Sequence, residues 1–272
     1  MAENTLIAWT NHTHNIAWGC TKVDPGCAHC YAEHFATKRL GLRIWGSNQA
    51  RRTFGPRHWM IPEKWHRAAV AGRTTSVMGP GYPVLVFSSS MCDVFEDHPT
   101  LASEREKLWA LIRRTPHLHW QLLTKRADRI ADYLPSDWGI KGYPNVWLGV
   151  SISDSSGAWR ADCLRQVPAR VRFISYEPAL GPLTPHLNLD GIHWVIYGGE
   201  SGHHYRDHDL QWARAMRAHC GEKQVAFFYK QSAAPRTEME TLLDGETVRE
   251  FPIQRLRSTR DPVSPETIPR PD

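Results

Sequence analysis

The sequence predicts an α/β protein built on a parallel sheet with crossover helices, arranged as an α/β barrel or an open sheet. Three observations carry this. Short runs rich in β-branched and aromatic residues recur along the chain, helix-like segments separate several of them, and nearly every run stops at polar or glycine-rich residues.

The first candidate strand spans roughly Leu6 to Trp18. Val84-Leu85-Val86-Phe87 is a compact apolar run that ends at Ser88-Ser89-Ser90, and Leu101 to Arg114 then has the spacing of an amphipathic helix. Leu118 to Leu123 leads into Thr124-Lys125, followed by a helical stretch from Ala127 to Tyr133. Val146 to Val150 ends at Ser151, and Val171 to Ile174 ends at Ser175-Tyr176-Glu177-Pro178. His193 to Tyr197 ends at Gly198-Gly199-Glu200-Ser201-Gly202, and Val225 to Tyr229 ends at Lys230. The carboxyl ends of strands form the active face of α/β barrels and open sheets. Any single strand ends in a polar loop, but endings in Ser, Thr-Lys, Ser, Glu, Gly-Gly-Glu and Lys together point to a shared polar pocket.

Residues 1–254 read as one domain. Residues 41–62 read as an insertion in which Arg43, Trp45, Arg51, Arg52, Phe54, Arg57, His58 and Trp59 alternate basic and aromatic character. Such a segment can stack bases and neutralise phosphates, or it can pack on the barrel. Pro, Arg, Ser and Thr dominate residues 255–272, a composition that predicts a disordered tail.

The formal charge of +5 permits a polyanionic partner without requiring one. Six cysteines in 272 residues do not make a disulfide scaffold. Met1 to Thr10 lacks the basic start and apolar stretch of a secretory leader, and no apolar run approaches the ~20 residues that cross a bilayer. A cytoplasmic protein is expected, with no membrane partner and with thiols kept reduced.

Against that background the stretch from Trp18 to Tyr31 stands out, because it holds Cys20, Cys27 and Cys30 around a turn-forming Asp24-Pro25-Gly26. Structural zinc and all-protein iron–sulfur clusters usually take four ligands. Three cysteines leave one coordination position for something other than protein. Cys92, Cys163 and Cys220 are scattered and read as ordinary thiols.

A cysteine triplet followed by an aromatic after a first strand resembles the radical S-adenosylmethionine (SAM) superfamily. More closely, Gly19-Cys20-Thr21-Lys22-Val23, Gly26-Cys27, Cys30-Tyr31-Ala32-Glu33 and Ser90-Met91-Cys92-Asp93-Val94-Phe95 are similar to the phage Gp37/Gp68 family (DUF5131). So are Gln121 to Arg126, Val146 to Ser151, Ser175 to Pro178, Gly198 to Gly202 and Phe227 to Gln231, in the expected order from about Trp9 to Pro252. The resemblance implies a partial (β/α)6-type barrel of the radical SAM kind, with a [4Fe–4S] cluster on Cys20, Cys27 and Cys30. SAM would bind the fourth iron, and an electron donor such as flavodoxin or ferredoxin would reduce the cluster. The usual superfamily motif has three residues between its first two cysteines and this chain has six, so loop geometry does not carry over.

The resemblance also assigns roles. Tyr31 matches the aromatic beside the SAM adenine. Lys125 suits the SAM carboxylate, Ser89 and Ser151 the methionyl or ribose groups, and Glu177 the amino group or ribose. Gly198 and Gly199 allow close backbone approach. Glu200, Lys230 and Asp93 remain for substrate contact or proton transfer, and His203 and His204 are read as exposed or substrate-facing. The expected reaction is hydrogen abstraction in the modification or rearrangement of a nucleotide or phage DNA base. Two other readings stay open. One is a non-catalytic nucleic-acid-binding protein with a Cys₃His zinc site that could use His29. The other is a photoproduct-lyase-like repair enzyme with Cys92 as hydrogen donor.

Overall fold

The computed structural model describes residues 2–252, and seven strands run through it in one sheet. They are β1 (His12–His14), β2 (Val84–Ser88), β3 (Leu118–Thr124), β4 (Val146–Ser151), β5 (Val171–Tyr176), β6 (Trp194–Gly198) and β7 (Ala226–Gln231). Every neighbouring pair is parallel, and spatial order equals chain order. With right-handed crossovers, sequential order puts every connection on one side of the sheet. The sheet therefore curls into a half-barrel rather than winding both ways from a switch point.

The two faces differ in filling. The convex face packs under the helices with Val86, Trp120, Leu148, Ile174 and Val195 against Leu108, Trp109, Ile112 and Met216. The concave face is filled at its lower end by Phe87, Trp147, Phe173, Trp194 and Phe228, capped by Trp9 and Phe251. Trp147 and Trp194 meet edge to face at 5.9 Å. Gly149 makes room for this layer, since a Cβ there would come within 2.3 Å of the Phe173 ring. Gly149→Ala is expected to cost about 1–3 kcal/mol through overpacking, read as a lower denaturation midpoint with an unchanged m-value.

Helices α1 (Tyr31–His34), α2 (Pro56–Trp59) and α3 (Ile61–Val70) lie between β1 and β2, and α4 (Pro99–Arg114) between β2 and β3. Pro99 starts α4, and the His98 ring caps it by accepting from the Thr100 N–H at 3.3 Å. Helix α5 (Trp159–Gln166) joins β4 to β5, and α6 (Leu210–Glu222) joins β6 to β7.

The sheet has seven strands, as many as the runs read from the sequence and one more than the (β/α)6 plan that the resemblance implies, and its first strand is only His12–His14 within the expected span. Ala127 to Tyr133 forms two short 3₁₀ turns, not a helix; seven residues ending just before Leu134-Pro135 are too few to sustain one. Among the described residues no helix joins β5 to β6, where Pro178, Pro182 and Pro185 deny the backbone its donors. The expected tail at 255–272 lies outside the described residues. No described helix is long and apolar enough to cross a membrane.

Candidate functional site: a cysteine loop across the strand ends

Side chains alternate between faces along a strand, so strand parity decides what enters the half-barrel. The residues at the C-terminal ends on the concave parity are Lys125, Ser151, Glu177, Gly198 and Lys230. They form one polar chain. The Lys125 ammonium donates to Ser151 Oγ at 2.8 Å, and Ser151 donates to the Glu177 carbonyl at 2.9 Å. The Glu177 carboxylate accepts from Lys230 Nζ at 2.9 Å and from Ser175 Oγ at 3.1 Å. Gly198 lets that carboxylate lie on the strand, since a Cβ would sit 2.4 Å from Glu177 Oε1. Gly199 presses on the backbone of Ala233.

The cysteine loop lies across these strand ends and is pinned at four of them. At the β2 end, the Thr21 N–H donates to Glu96 Oε1 at 2.9 Å and the Tyr31 hydroxyl donates to the Ser90 carbonyl at 2.8 Å. At the β3 end, Arg126 reaches the Thr21 carbonyl at 2.8 Å and Lys125 lies 3.7 Å from Asp24. At the β4 end, Arg160 holds Asp24 at 2.6 Å, and Gly26 sits so close that a Cβ would fall 2.3 Å from Ser153 Oγ. At the β6 end, buried Glu200 accepts from His29 Nδ1 at 3.1 Å and from Arg206, which also donates to the Pro25 carbonyl at 3.1 Å.

Behind the loop is a buried charge cluster that sequence reasoning missed. Arg51, 0 % exposed in its side chain, grips Glu96 with two parallel bonds of 2.9 Å and donates to Thr21 Oγ1 at 2.9 Å. Arg126 joins Glu96 at 3.2 Å and Asp93 at 3.0 Å. Asp93 also accepts from the Thr124 hydroxyl and from the N–H groups of Phe95 and Lys125. Its carboxylate ties the β2 and β3 ends together. Pattern reading saw Arg51 only as one of the basic residues of 41–62, Arg126 only within a family block and Asp24 only as a turn former, and it passed over Glu96, Arg160 and Arg206, because most of these pairings join residues far apart in sequence.

Burial pushes the Glu96 carboxyl up, but the Arg51 hydrogen bonds and the Arg126 charge outweigh it, so its pKa lies below the ordinary value. Glu200 shifts the same way, with burial again overcome by Arg206. A depressed folded-state pKa means that folding favours the carboxylate. That stabilisation is fully present above the unfolded-state value of about 4.3 and is lost as pH falls through the folded-state value. Acid unfolding monitored by circular dichroism is expected to begin below about pH 4, and Glu96→Gln should flatten its pH dependence.

The three cysteines are half-buried and unoxidised. Arg126 Nη1 faces the Cys20 sulfur at 3.7 Å, and the Cys27 thiol donates to Asp24 at 3.4 Å. The amides of Glu33 and Ala32, at the start of α1, donate to Cys30. Burial nevertheless pushes the thiols of Cys20 and Cys30 up. Among the described residues no three His, Cys, Asp or Glu side chains gather as a ready-made metal cage. The donor set fits a cluster on three thiolates in chemistry, with a cation and helix-start amides to compensate charge. It must close to hold one.

The remaining expected residues fall elsewhere. Ser89 is buried, its hydroxyl beside that of Ser88 at 3.1 Å. Cys92 packs against the convex-side core, and burial pushes its thiol up to about 12. His29, the zinc-ligand candidate, is turned to Glu200. His203 and His204 are exposed, their rings 4.8 Å apart. A cleft of about 450 Å³ beside the loop is lined by Val23, His98, Arg129 and Trp159 among others.

A family model described as a protein of unknown function (DUF5131) matches residues 4–252. The chain belongs to the DUF5131 family. That match covers all seven strands, the cysteine loop and the polar chain of this DUF5131 member. No curated protein and no solved structure matches it.

Proposed function

We propose that the chain is a radical SAM enzyme acting on a nucleotide or a DNA base. The observation that carries this reading is the placement of three half-buried cysteines on one loop pinned across the C-terminal ends of a curled parallel sheet. Cys20, Cys27 and Cys30 would hold a [4Fe–4S] cluster beside which SAM would bind, and the pair would supply one-electron reductive chemistry that ends in hydrogen abstraction from substrate.

This chain's residues position and shield. Lys125 and Lys230 offer cations to a carboxylate from two sides of the strand-end chain, and Glu177 offers its carboxylate to an amino group or ribose hydroxyls. Tyr31 is 56 % exposed with its hydroxyl tethered to the Ser90 carbonyl, which leaves ring surface on which an adenine could stack. The aromatic floor of Phe87, Trp147, Phe173, Trp194 and Phe228 keeps water from entering below. Asp93, Glu96, Arg51 and Arg126 act as positioning residues behind the loop.

The test is anaerobic reconstitution followed by iron, sulfide and zinc analysis. Brown protein with about four irons per chain supports the reading. Colourless protein with one zinc overturns it in favour of a zinc-stapled binding protein.

A further inference from the structure

The basic, aromatic segment after the cysteine loop is only partly used by the fold. Arg51 is consumed by Glu96, Trp59 packs on the convex-side core, and His58 meets the Asn15 carbonyl at 2.7 Å. Trp45 packs on the small cluster of Ala32, Ala36, Ile44 and Met91, and Phe54 stacks on His58 at 4.1 Å, which leaves chiefly the cations to solvent. Lys38, Arg39, Arg43, Arg52 and Arg57 are all exposed, and none has a carboxylate partner among the described residues. Residues 34–62 contain no Asp or Glu at all. Elsewhere exposed Arg113, Arg114 and Arg129 meet carboxylates, whereas exposed Arg67, Arg73, Arg170 and Arg236 have no ion pair among the described residues. What sets this segment apart is that its unpaired cations stand in a stretch with no acidic side chain of its own.

The band is joined to the site through Trp18, two residues before Cys20. The Trp18 backbone bridges that of Arg52 through two bonds of 2.9 Å, and the Arg52 guanidinium lies over its ring at 5.3 Å. Phe35 and Phe54 meet the same ring edge to face at 6.2 and 5.9 Å. Phe35 is 38 % exposed and stands four residues after exposed Tyr31, on the same side of one helical turn. Exposed Tyr31 and Phe35 thus lie in sequence between the cysteine loop and the unpaired cations, and Arg52 is held on the Trp18 ring that Phe35 also meets.

We propose that this band binds single-stranded nucleic acid, with backbone phosphates on Lys38, Arg39, Arg43, Arg52 and Arg57 and unpaired bases stacked beside Phe35. This rests on the proposed nucleotide substrate and narrows it: the target base belongs to a polymer and not to a free nucleotide. Interleaved aromatics and cations are the physical signature of sequence-tolerant strand binding. A duplex offers no free base faces to stack, and an acidic protein surface needs the cations but not the rings.

The test is fluorescence anisotropy of a labelled 20-nucleotide single strand with the full chain, without cluster or SAM, across a salt series. The expected result is binding in the range of about 1–100 µM that weakens with salt, with a log–log slope near −3 for four to five phosphates. The Lys38→Ala, Arg39→Ala, Arg43→Ala triple variant should flatten the slope by about 2. Phe35→Ala should weaken single-strand binding roughly tenfold at an unchanged slope. Circular dichroism of each variant should match wild type. No binding at low salt, an unchanged slope in the triple variant, equal affinity for a duplex, or equal competition by polyglutamate would each overturn the proposal. Because the assay contains neither cluster nor SAM, its failure leaves the radical SAM reading untouched, and Cys163→Ala, remote from the band, should bind the strand as wild type does.

Discussion

Arg51→Ala is expected to destabilise the protein by about 3–5 kcal/mol, the cost of breaking a buried ion pair from one side. The guanidinium is fully enclosed and satisfies Glu96 twice, Thr21 once and the carbonyls of Ile44, Gly46 and Gln49. Its loss leaves Glu96 to Arg126 and the Thr21 amide alone. For a domain of this size the melting temperature should fall by roughly 10 °C. Arg51→Lys should not rescue it, because an ammonium cannot form the two parallel bonds or reach three carbonyls together. A change below about 1 kcal/mol would show that the loop is held by its other anchors, Asp24 and Glu200. Thermal unfolding of the three proteins at neutral pH decides this.

Single replacement of Cys20, Cys27 or Cys30 by alanine is expected to abolish binding of the proposed cluster outright. The three sulfurs lie on one loop, and the described residues hold no fourth ligand gathered with them to compensate. Metal affinity here includes the free energy of closing the loop, so iron binding and loop order should be lost together. Wild type loaded with iron should resist proteolysis between Thr21 and Tyr31 more than its iron-free form does. The alanine variants should show no such difference. Cys163→Ala and Cys220→Ala, remote from the loop, should retain iron.

The sheet was legible because its strands are compact β-branched and aromatic runs, and because parity alone sends Lys125, Ser151, Glu177 and Lys230 to one face. The bounds of β1 were not, since His-Thr-His is no strand signature and its pairing comes from β2, so only a broad span from Leu6 to Trp18 could be read. The expected helix at Ala127 to Tyr133 fell to a span too short for one. In the site, cysteine spacing announced the loop, yet not what it rests on. Arg51–Glu96, Arg126–Asp93 and Glu200–His29 join residues 45, 33 and 171 positions apart, and one-dimensional patterns carry no trace of such partners. The same blindness affected residues 41–62, where Arg51 and Arg52 are neighbours in sequence but one is fully buried and the other exposed.

The most direct measurement is chromatography for 5′-deoxyadenosine after reconstituted wild type and Cys20→Ala are incubated anaerobically with SAM and dithionite. Radical SAM chemistry gives 5′-deoxyadenosine and methionine in wild type and neither in the variant. A fully loaded, reducible cluster that leaves SAM intact would contradict the assignment, and the strand-end chain of Lys125, Ser151, Glu177 and Lys230 would then need a different ligand.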